Sequence, residues 1–423
     1  MTTAGTSSTG STATGTSDLA VCGGTPVRSS AFPPWPVVGP EDEAAVLGVL
    51  RSGRWFLGDR VAEVERVFPE FHHARHGCAV SSGTTALQVA LEAAGVGVGD
   101  EVIVPAYTFV ATAASVALVG AVPVFVDVTP DTYCIDVRAA EAAVTERTRA
   151  VIAVHLAGHP ADLDALTALC QSKGLRLLED AAQAHCAEWK GRRVGAIGDL
   201  GTFSFQASKN LNAGEGGFVV SDDDTLADAA WSIHNCGRSR SGEWYEHPLI
   251  GGNYRMTEFQ AALLLSQMRN LEKFADLRSK NATLLTTQLA GIQGIEPLAV
   301  DDRVTRHAYH LYVLRYDAAA FGGASRDRFL EALAAEGIPC AAGYRPLYLE
   351  PAFQARFQDY PLDSPAFGGK PDYSAVNCPV TERICSEEAI WLTQNLLLGT
   401  AEDMTQISEA IGKIQRSAHQ LTA

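Results

Sequence analysis

Basic charge is scarce in this 423-residue chain: 33 Lys and Arg stand against 49 Asp and Glu, for a formal net charge of −16. That balance argues against a nucleic-acid-binding protein, which presents a basic face to phosphates. Nine cysteines are scattered along the chain (Cys22, Cys78, Cys134, Cys170, Cys186, Cys236, Cys340, Cys378 and Cys385) with no CxxC pair. Neither a zinc site nor a disulfide framework is signalled. The 11 histidines form no HExxH or comparable cluster, and no uninterrupted apolar run approaches the roughly 18 residues of a membrane span. Between Met1 and Asp18 there is only Thr, Ser, Gly and Ala, without the basic and apolar regions of a signal peptide. Residues 1–18 therefore read as a disordered tail, and the protein as a soluble, cytoplasmic one with no membrane or nucleic-acid partner.

The chain beyond the tail is ample for a large core, with 47% hydrophobic and 19% charged residues over the whole sequence. Short β-branched runs alternate with helical patterns, which predicts an α/β fold with a mostly parallel sheet covered by helices. The expected strands are Glu101 to Pro105, Val122 to Asp127, Ala150 to His155, Arg176 to Glu179, Gly201 to Phe205 and Gly217 to Ser221. A long helical pattern runs from Thr257 towards Leu289, and Gly291 to Gly294 break it. A boundary near there divides a large domain (19–290) from a smaller α+β one (291–423), with a strand over Arg306 to Leu314 and helices over Arg326 to Glu336 and Glu402 to Ile414. The Gly322-Gly323 and Gly368-Gly369 pairs read as loops.

Three stretches carry chemistry. In Phe203-Ser204-Phe205-Gln206-Ala207-Ser208-Lys209-Asn210-Leu211-Asn212-Ala213-Gly214-Glu215-Gly216-Gly217 a single lysine lies between hydroxyl side chains and a glycine-rich turn. In Leu177-Leu178-Glu179-Asp180-Ala181-Ala182-Gln183-Ala184-His185 a carboxylate ends an apolar run, where a strand's carboxyl end would put it. In Ala79-Val80-Ser81-Ser82-Gly83-Thr84-Thr85 the chain breaks into small hydroxyl residues ahead of a helical pattern, the setting in which free N–H groups and the helix dipole hold a phosphate. Each stretch has a plainer reading: a loop lysine, and helix caps at Asp180 and Ser82. Together they suggest pyridoxal phosphate, an electron sink whose ring nitrogen a carboxylate keeps protonated while a lysine carries the aldehyde and shuttles protons.

With Pro105-Ala106-Tyr107-Thr108-Phe109, Phe125-Val126-Asp127-Val128, Val154-His155-Leu156-Ala157-Gly158 and Gly252-Asn253-Tyr254-Arg255-Met256, these stretches resemble the DegT/DnrJ/EryC1/StrS family of pyridoxal phosphate-dependent aminotransferases of keto sugars and keto cyclitols. The resemblance runs from about Gly23 to the last helix. It implies the fold type I architecture of aspartate aminotransferase and a homodimer with composite active sites. Lys209 would be the Schiff-base lysine and general acid/base, and Asp180 the partner of the ring nitrogen. Gln183 would lie beside the ring, and Gly83, Thr84 and Ser204 would hold the phosphate. Asn253 would reach the phosphate of a partner subunit, and Phe109, or Tyr107 close to it, would stack on the ring. Pyridoxamine phosphate would be the intermediate form. His185 would either buttress Asp180 or be a buried structural histidine, and His155, His307 and His310 would be structural or substrate-lining.

A lysine at 209 favours transamination over the dehydration catalysed by family members with histidine there. It does not exclude an aromatising lyase similar to 3-amino-5-hydroxybenzoate synthase. A non-catalytic regulatory relative would be expected to lose Lys209, Asp180 or Ser204, and all three are present. The amino donor implied is glutamine or glutamate. Gly23-Gly24-Thr25-Pro26-Val27-Arg28, Pro34-Trp35-Pro36 and Ile233-His234-Asn235-Cys236-Gly237-Arg238 resemble the inosose and cyclitol branch, which serves antibiotic pathways. Tyr348 stands where many nucleotide-sugar members have histidine. The polar loop Arg238 to Trp244 is either a solvated connector or a substrate contact.

Overall fold

The computed structural model describes residues 18–243, 245–356 and 371–422. The expected tail therefore lies outside the described residues except for Asp18, as do Trp244 and the Gly368-Gly369 pair. In chain order the first nine strands are β1 His76–Val80, β2 Glu101–Pro105, β3 Val122–Val126, β4 Thr148–Val154, β5 Arg176–Asp180, β6 Glu188–Trp189, β7 Arg192–Arg193, β8 Leu200–Ser204 and β9 Gly217–Ser221. Seven of them form the central sheet in the order β1-β9-β8-β5-β4-β2-β3, while β6 and β7 make a small hairpin apart. β3, β2, β4, β5 and β8 pair in parallel, and β9 runs antiparallel between β8 and β1. The mostly parallel sheet expected from the sequence is the one found.

The near-continuous apolar runs of these strands follow from burial on both faces. Ile103, Val151 and Leu177 enter one core, and Val102, Val104, Ile152 and Leu178 the other. Helices Gly83–Ala93, Ala111–Leu118, Leu163–Lys173 and Asp224–His234 supply the cover. A third core is built on β10 Ile295–Pro297, β12 Leu311–Tyr316 and β13 Ala389–Thr393, with helices Arg326–Ala335 and Ala401–Arg416.

Two expected elements are divided. The helical pattern after Thr257 forms two helices, Glu258–Met268 and Leu271–Leu289. The turn between them comes where the N–H groups of Arg269 and Asn270 bond the carbonyls of Ser266 and Gln267, three residues back. The strand expected over Arg306 to Leu314 is β11 Val304–Arg306, paired with β6, followed by β12 in another sheet. The break is a turn in which Tyr309 takes φ 47° and its N–H bonds His307 Nδ1 at 2.8 Å.

The Leu271–Leu289 helix joins two cores, giving Leu271 and Ala275 to the first and Ala282, Leu285 and Leu289 to the third. Leu19 also enters the third core, and Glu336 holds the N–H groups of Ala20 and Val27 at 2.9 Å each. We propose that the boundary between the two units lies at the end of this helix, with the segment around 19–28 packed onto the smaller one.

Candidate active site

Strand register brings the three stretches together. Asp180, the last residue of β5, stands opposite Val154 of β4 and Thr202 of β8. Gly217 of β9 pairs with both Val80 and Ser204, so the turn after β1 and the end of β8 meet across one glycine. A Cβ at Gly217 would lie 2.2 Å from the Ser82 carbonyl oxygen, and one at Gly83 would lie 2.6 Å from Ser204 Cβ. Only glycine lets these backbones approach. The result is a cavity of about 890 Å³ whose wall includes Gly83, Thr84, Phe109, Asp180, Gln183, Ser204 and Lys209.

At one end the Gly83–Ala93 helix starts, with Ser82 accepting at its side-chain oxygen from Thr85 N–H at 3.1 Å. The N–H groups of Gly83 and Thr84 make no bond to another described residue. Two free donors on a helix N-terminus beside the Ser204 hydroxyl form an anion cradle. On another wall, Asp180 Oδ2 accepts from the Thr112 hydroxyl at 2.8 Å, and Oδ1 from Ala182 N–H at 3.2 Å. The Thr112 proton being spent there, the Thr108 hydroxyl donates to Thr112 at 3.0 Å. Gln183 is held at both ends: its Oε1 accepts from Ala157 N–H at 2.6 Å, and its Nε2 donates to Tyr344 Oη at 2.9 Å.

Burial pushes the Lys209 ammonium below its usual range, and the nearby Asp180 carboxylate opposes that without reversing it. The cavity thus holds an amine that gives up its proton more easily than a surface lysine. His310 lines the same cavity, and its tautomer is set by its neighbours. Asn210 Nδ2 donates to the Ala308 carbonyl at 2.7 Å, so Asn210 presents Oδ1 to His310 Nδ1, which must donate at 3.2 Å. Nε2 is left as an acceptor, and burial keeps the ring neutral.

Phe109 reaches the cavity with 53% of its surface exposed, whereas Tyr107 is fully buried and accepts from Trp391 Nε1 at 3.1 Å. Between the two aromatic candidates the structure puts Phe109 on the wall. Asn253 is exposed and outside this cavity, bridged to Asn235. His185 does not reach Asp180: it packs on Phe203 and Phe205, and burial takes it down to about 3. The buttress is Thr112, on the Ala111–Leu118 helix, which sequence reasoning missed. His155 is structural, with Nδ1 accepting from Ala161 N–H and Nε2 donating to Glu179, and His307 lines a different cavity. Trp35, Tyr344, Trp391 and Gln394 also line the cavity.

The donor set fits a phosphorylated pyridine: an anion cradle, a carboxylate fixed by hydrogen bonds, an aromatic face and a deprotonatable lysine surround one space. Comparison with known proteins agrees. A protein of Streptoalloteichus tenebrarius provisionally named L-glutamine:3-amino-2,3-dideoxy-scyllo-inosose aminotransferase is 43% identical over 414 residues, spanning 96% of this chain and all of that protein. The L-glutamine:2-deoxy-scyllo-inosose aminotransferase of the same organism is 39% identical, spanning 96% of this chain and 99% of its own. The crystal structure of 3-amino-5-hydroxybenzoic acid synthase superposes with a TM-score of 0.84 at 35% identity, covering 93% of this chain and 100% of that one. The family model of the DegT/DnrJ/EryC1/StrS aminotransferases matches residues 36–412, and the chain belongs to that family.

Proposed function

We propose that the protein moves the amino group of L-glutamine or glutamate onto a keto cyclitol of the scyllo-inosose type in antibiotic biosynthesis, using pyridoxal phosphate held in the cavity around Lys209. The observation that carries this reading is the placement of Lys209, Asp180 and the Gly83–Thr84 cradle in one cavity. Two relatives similar over nearly the whole chain are named for that reaction.

In this reading the Gly83 and Thr84 N–H groups and the Ser204 hydroxyl take the phosphate. Asp180, held by Thr112, would partner the ring nitrogen, Phe109 would stack on the ring and Gln183 would lie beside it. When bound, the cofactor supplies an electron sink next to the donor's α-carbon. Lys209 would carry the proton chemistry: burial holds its ammonium below the usual range, so its amine would take up the donor's α-proton and give it back. A second copy of the chain completes the site by bringing Asn253. Exposed Trp55, Phe56, Leu57 and Ile250, the last at 97%, support a homodimer by offering apolar surface to cover.

The test is the absorbance of the purified holoenzyme before and after L-glutamine, with a subsequent screen of keto cyclitols against keto sugars. Loss of the visible cofactor band with glutamine, and its return with a keto cyclitol, is the expected result; a band that ignores every amino acid rejects the reading. The likeness to 3-amino-5-hydroxybenzoic acid synthase favours a second reading, an aromatising lyase. An aromatic product formed without an amino donor would select it.

A further inference from the structure

Arg278, on the Leu271–Leu289 helix, is 0% exposed and has no carboxylate partner among the described residues. Its Nε donates to Gln394 Oε1 at 2.9 Å and its Nη2 donates to the same oxygen, while Nη1 has no partner. The guanidinium lies 5.1 Å from the Trp35 ring centroid. Burial pushes it down to about 9, so it is still cationic at neutral pH. A cation kept in the interior without an anion is costly unless a ligand compensates it.

Gln394 connects this charge to the cavity. Arginine only donates, so the atom that Gln394 turns towards it is the oxygen, and the amide orientation is thereby fixed. Gln394 is 2% exposed and lines the cavity, and its Nε2 makes no hydrogen bond to another described residue yet is not sealed off as Arg278 Nη1 is. Two N–H donors backed by a buried cation therefore open into the site. They come from the end of β13, apart from the phosphate cradle formed by the turn after β1 and the end of β8. Asn395 Nδ2 donates to the Pro33 carbonyl at 2.8 Å, and Trp35 Nε1 to the Lys209 carbonyl at 3.2 Å. These bonds fix the N-terminal segment over Arg278.

We propose that Gln394 Nε2, with Arg278 behind it as a positioning residue, takes the α-carboxylate of the amino-acid donor. The inference rests on the aminotransferase reading and adds a subsite to it. Two ligands must occupy one cavity in turn, an amino acid with an anionic carboxylate and a cyclitol with none. A guanidinium in direct contact would be left unpaired by the cyclitol, at a penalty for that half-reaction. An amide N–H polarised by a remote cation bonds either a carboxylate or a hydroxyl, so the same wall serves both.

The experiment uses the holoenzyme and three probes. Glutaramate, which is glutamine without its amine, is titrated calorimetrically. L-glutamine and 4-aminobutanamide, the latter lacking the α-carboxylate, are compared by the rate at which each removes the visible cofactor band. The wild type is expected to prefer glutamine strongly over 4-aminobutanamide. Gln394→Glu, of equal size, puts an anion at the wall, and glutaramate and glutamine should bind roughly tenfold or more weakly, by the worth of a hydrogen bond to a charged group. Its reaction with 4-aminobutanamide, and that of the pyridoxamine form with the ketone, should lose much less, because neither brings a carboxylate to the wall and a cyclitol hydroxyl can donate to the new side chain. Gln394→Ala provides a second variant with the same direction of effect should the first not fold. Equal wild-type reaction with glutamine and 4-aminobutanamide, unchanged glutaramate binding in either variant, or equal losses in both half-reactions would overturn the subsite. A wild-type enzyme that ignores every amino acid would instead reject the aminotransferase reading itself.

Discussion

Thr112 donates a hydrogen bond to Asp180 at 2.8 Å, from the helix after β2 to the end of β5. The hydroxyl fixes the plane of a carboxylate that otherwise has one backbone contact, from Ala182 N–H. Thr112→Val keeps the shape and removes the donor, leaving a carboxylate oxygen unsatisfied. The half-reaction with glutamine should slow by about tenfold, the scale of one hydrogen bond to a charged group, with the cofactor still bound. Asp180→Asn, which removes the charge, should slow it much further. Stopped-flow absorbance measures both, and a Thr112→Val rate equal to wild type would reject the buttress.

Lys209→Ala should abolish turnover while some cofactor stays bound non-covalently in the cradle. The bound fraction is read after gel filtration and the turnover in a coupled assay. Wild-type-like turnover would reject the assignment of Lys209.

Gly83→Ala should weaken cofactor binding more than it disturbs the fold. Alanine is a better helix former than glycine at the start of the Gly83–Ala93 helix. Its Cβ, however, would stand 2.6 Å from Ser204 Cβ and force the cradle open. Apo-protein melting close to wild type, with a raised cofactor dissociation constant, is the expected pair of observations.

Stability should fall as the pH drops below about 6.5. His72, His159, His185, His234 and His310 are buried, and burial holds each below the ordinary histidine value of 6.5, at about 4 for His159 and His234 and about 3 for His185. Below 6.5 the unfolded chain takes up protons that the folded one refuses, so protonation favours unfolding. Each such histidine contributes about 1.4 kcal/mol per pH unit until its folded value is reached. Urea midpoints between pH 7 and pH 4 should decline steeply, and a flat profile across that range would contradict the burial of these rings.

How far the sequence spoke depended on how local the physics was. The small hydroxyl residues and glycine that open the Gly83–Ala93 helix, and an apolar strand ending in a carboxylate, are properties of a few neighbouring residues. They were legible in position, as was the alternation that predicts a mostly parallel sheet. The divided helix after Thr257 and the strand broken at Tyr309 were not, because hydrophobic period alone does not register a turn whose two arms bury the same kinds of side chain. Of the two options for His185 the buried histidine is the one found, because proximity in sequence to Asp180 says nothing of direction: it faces Phe203 and Phe205.

Residues 68 apart make the Thr112–Asp180 bond, and residues 116 apart make the Arg278–Gln394 contact. No local pattern encodes either. Composition, period and turn chemistry, being local and additive, determined the kind of sheet, and the short motifs around Lys209, Asp180 and Gly83 carried the resemblance to the family. Which donor steadies Asp180, which nitrogen of His310 carries the proton, and whether a buried arginine has a counter-charge were decided by tertiary structure alone, because each depends on what the fold places within hydrogen-bonding reach.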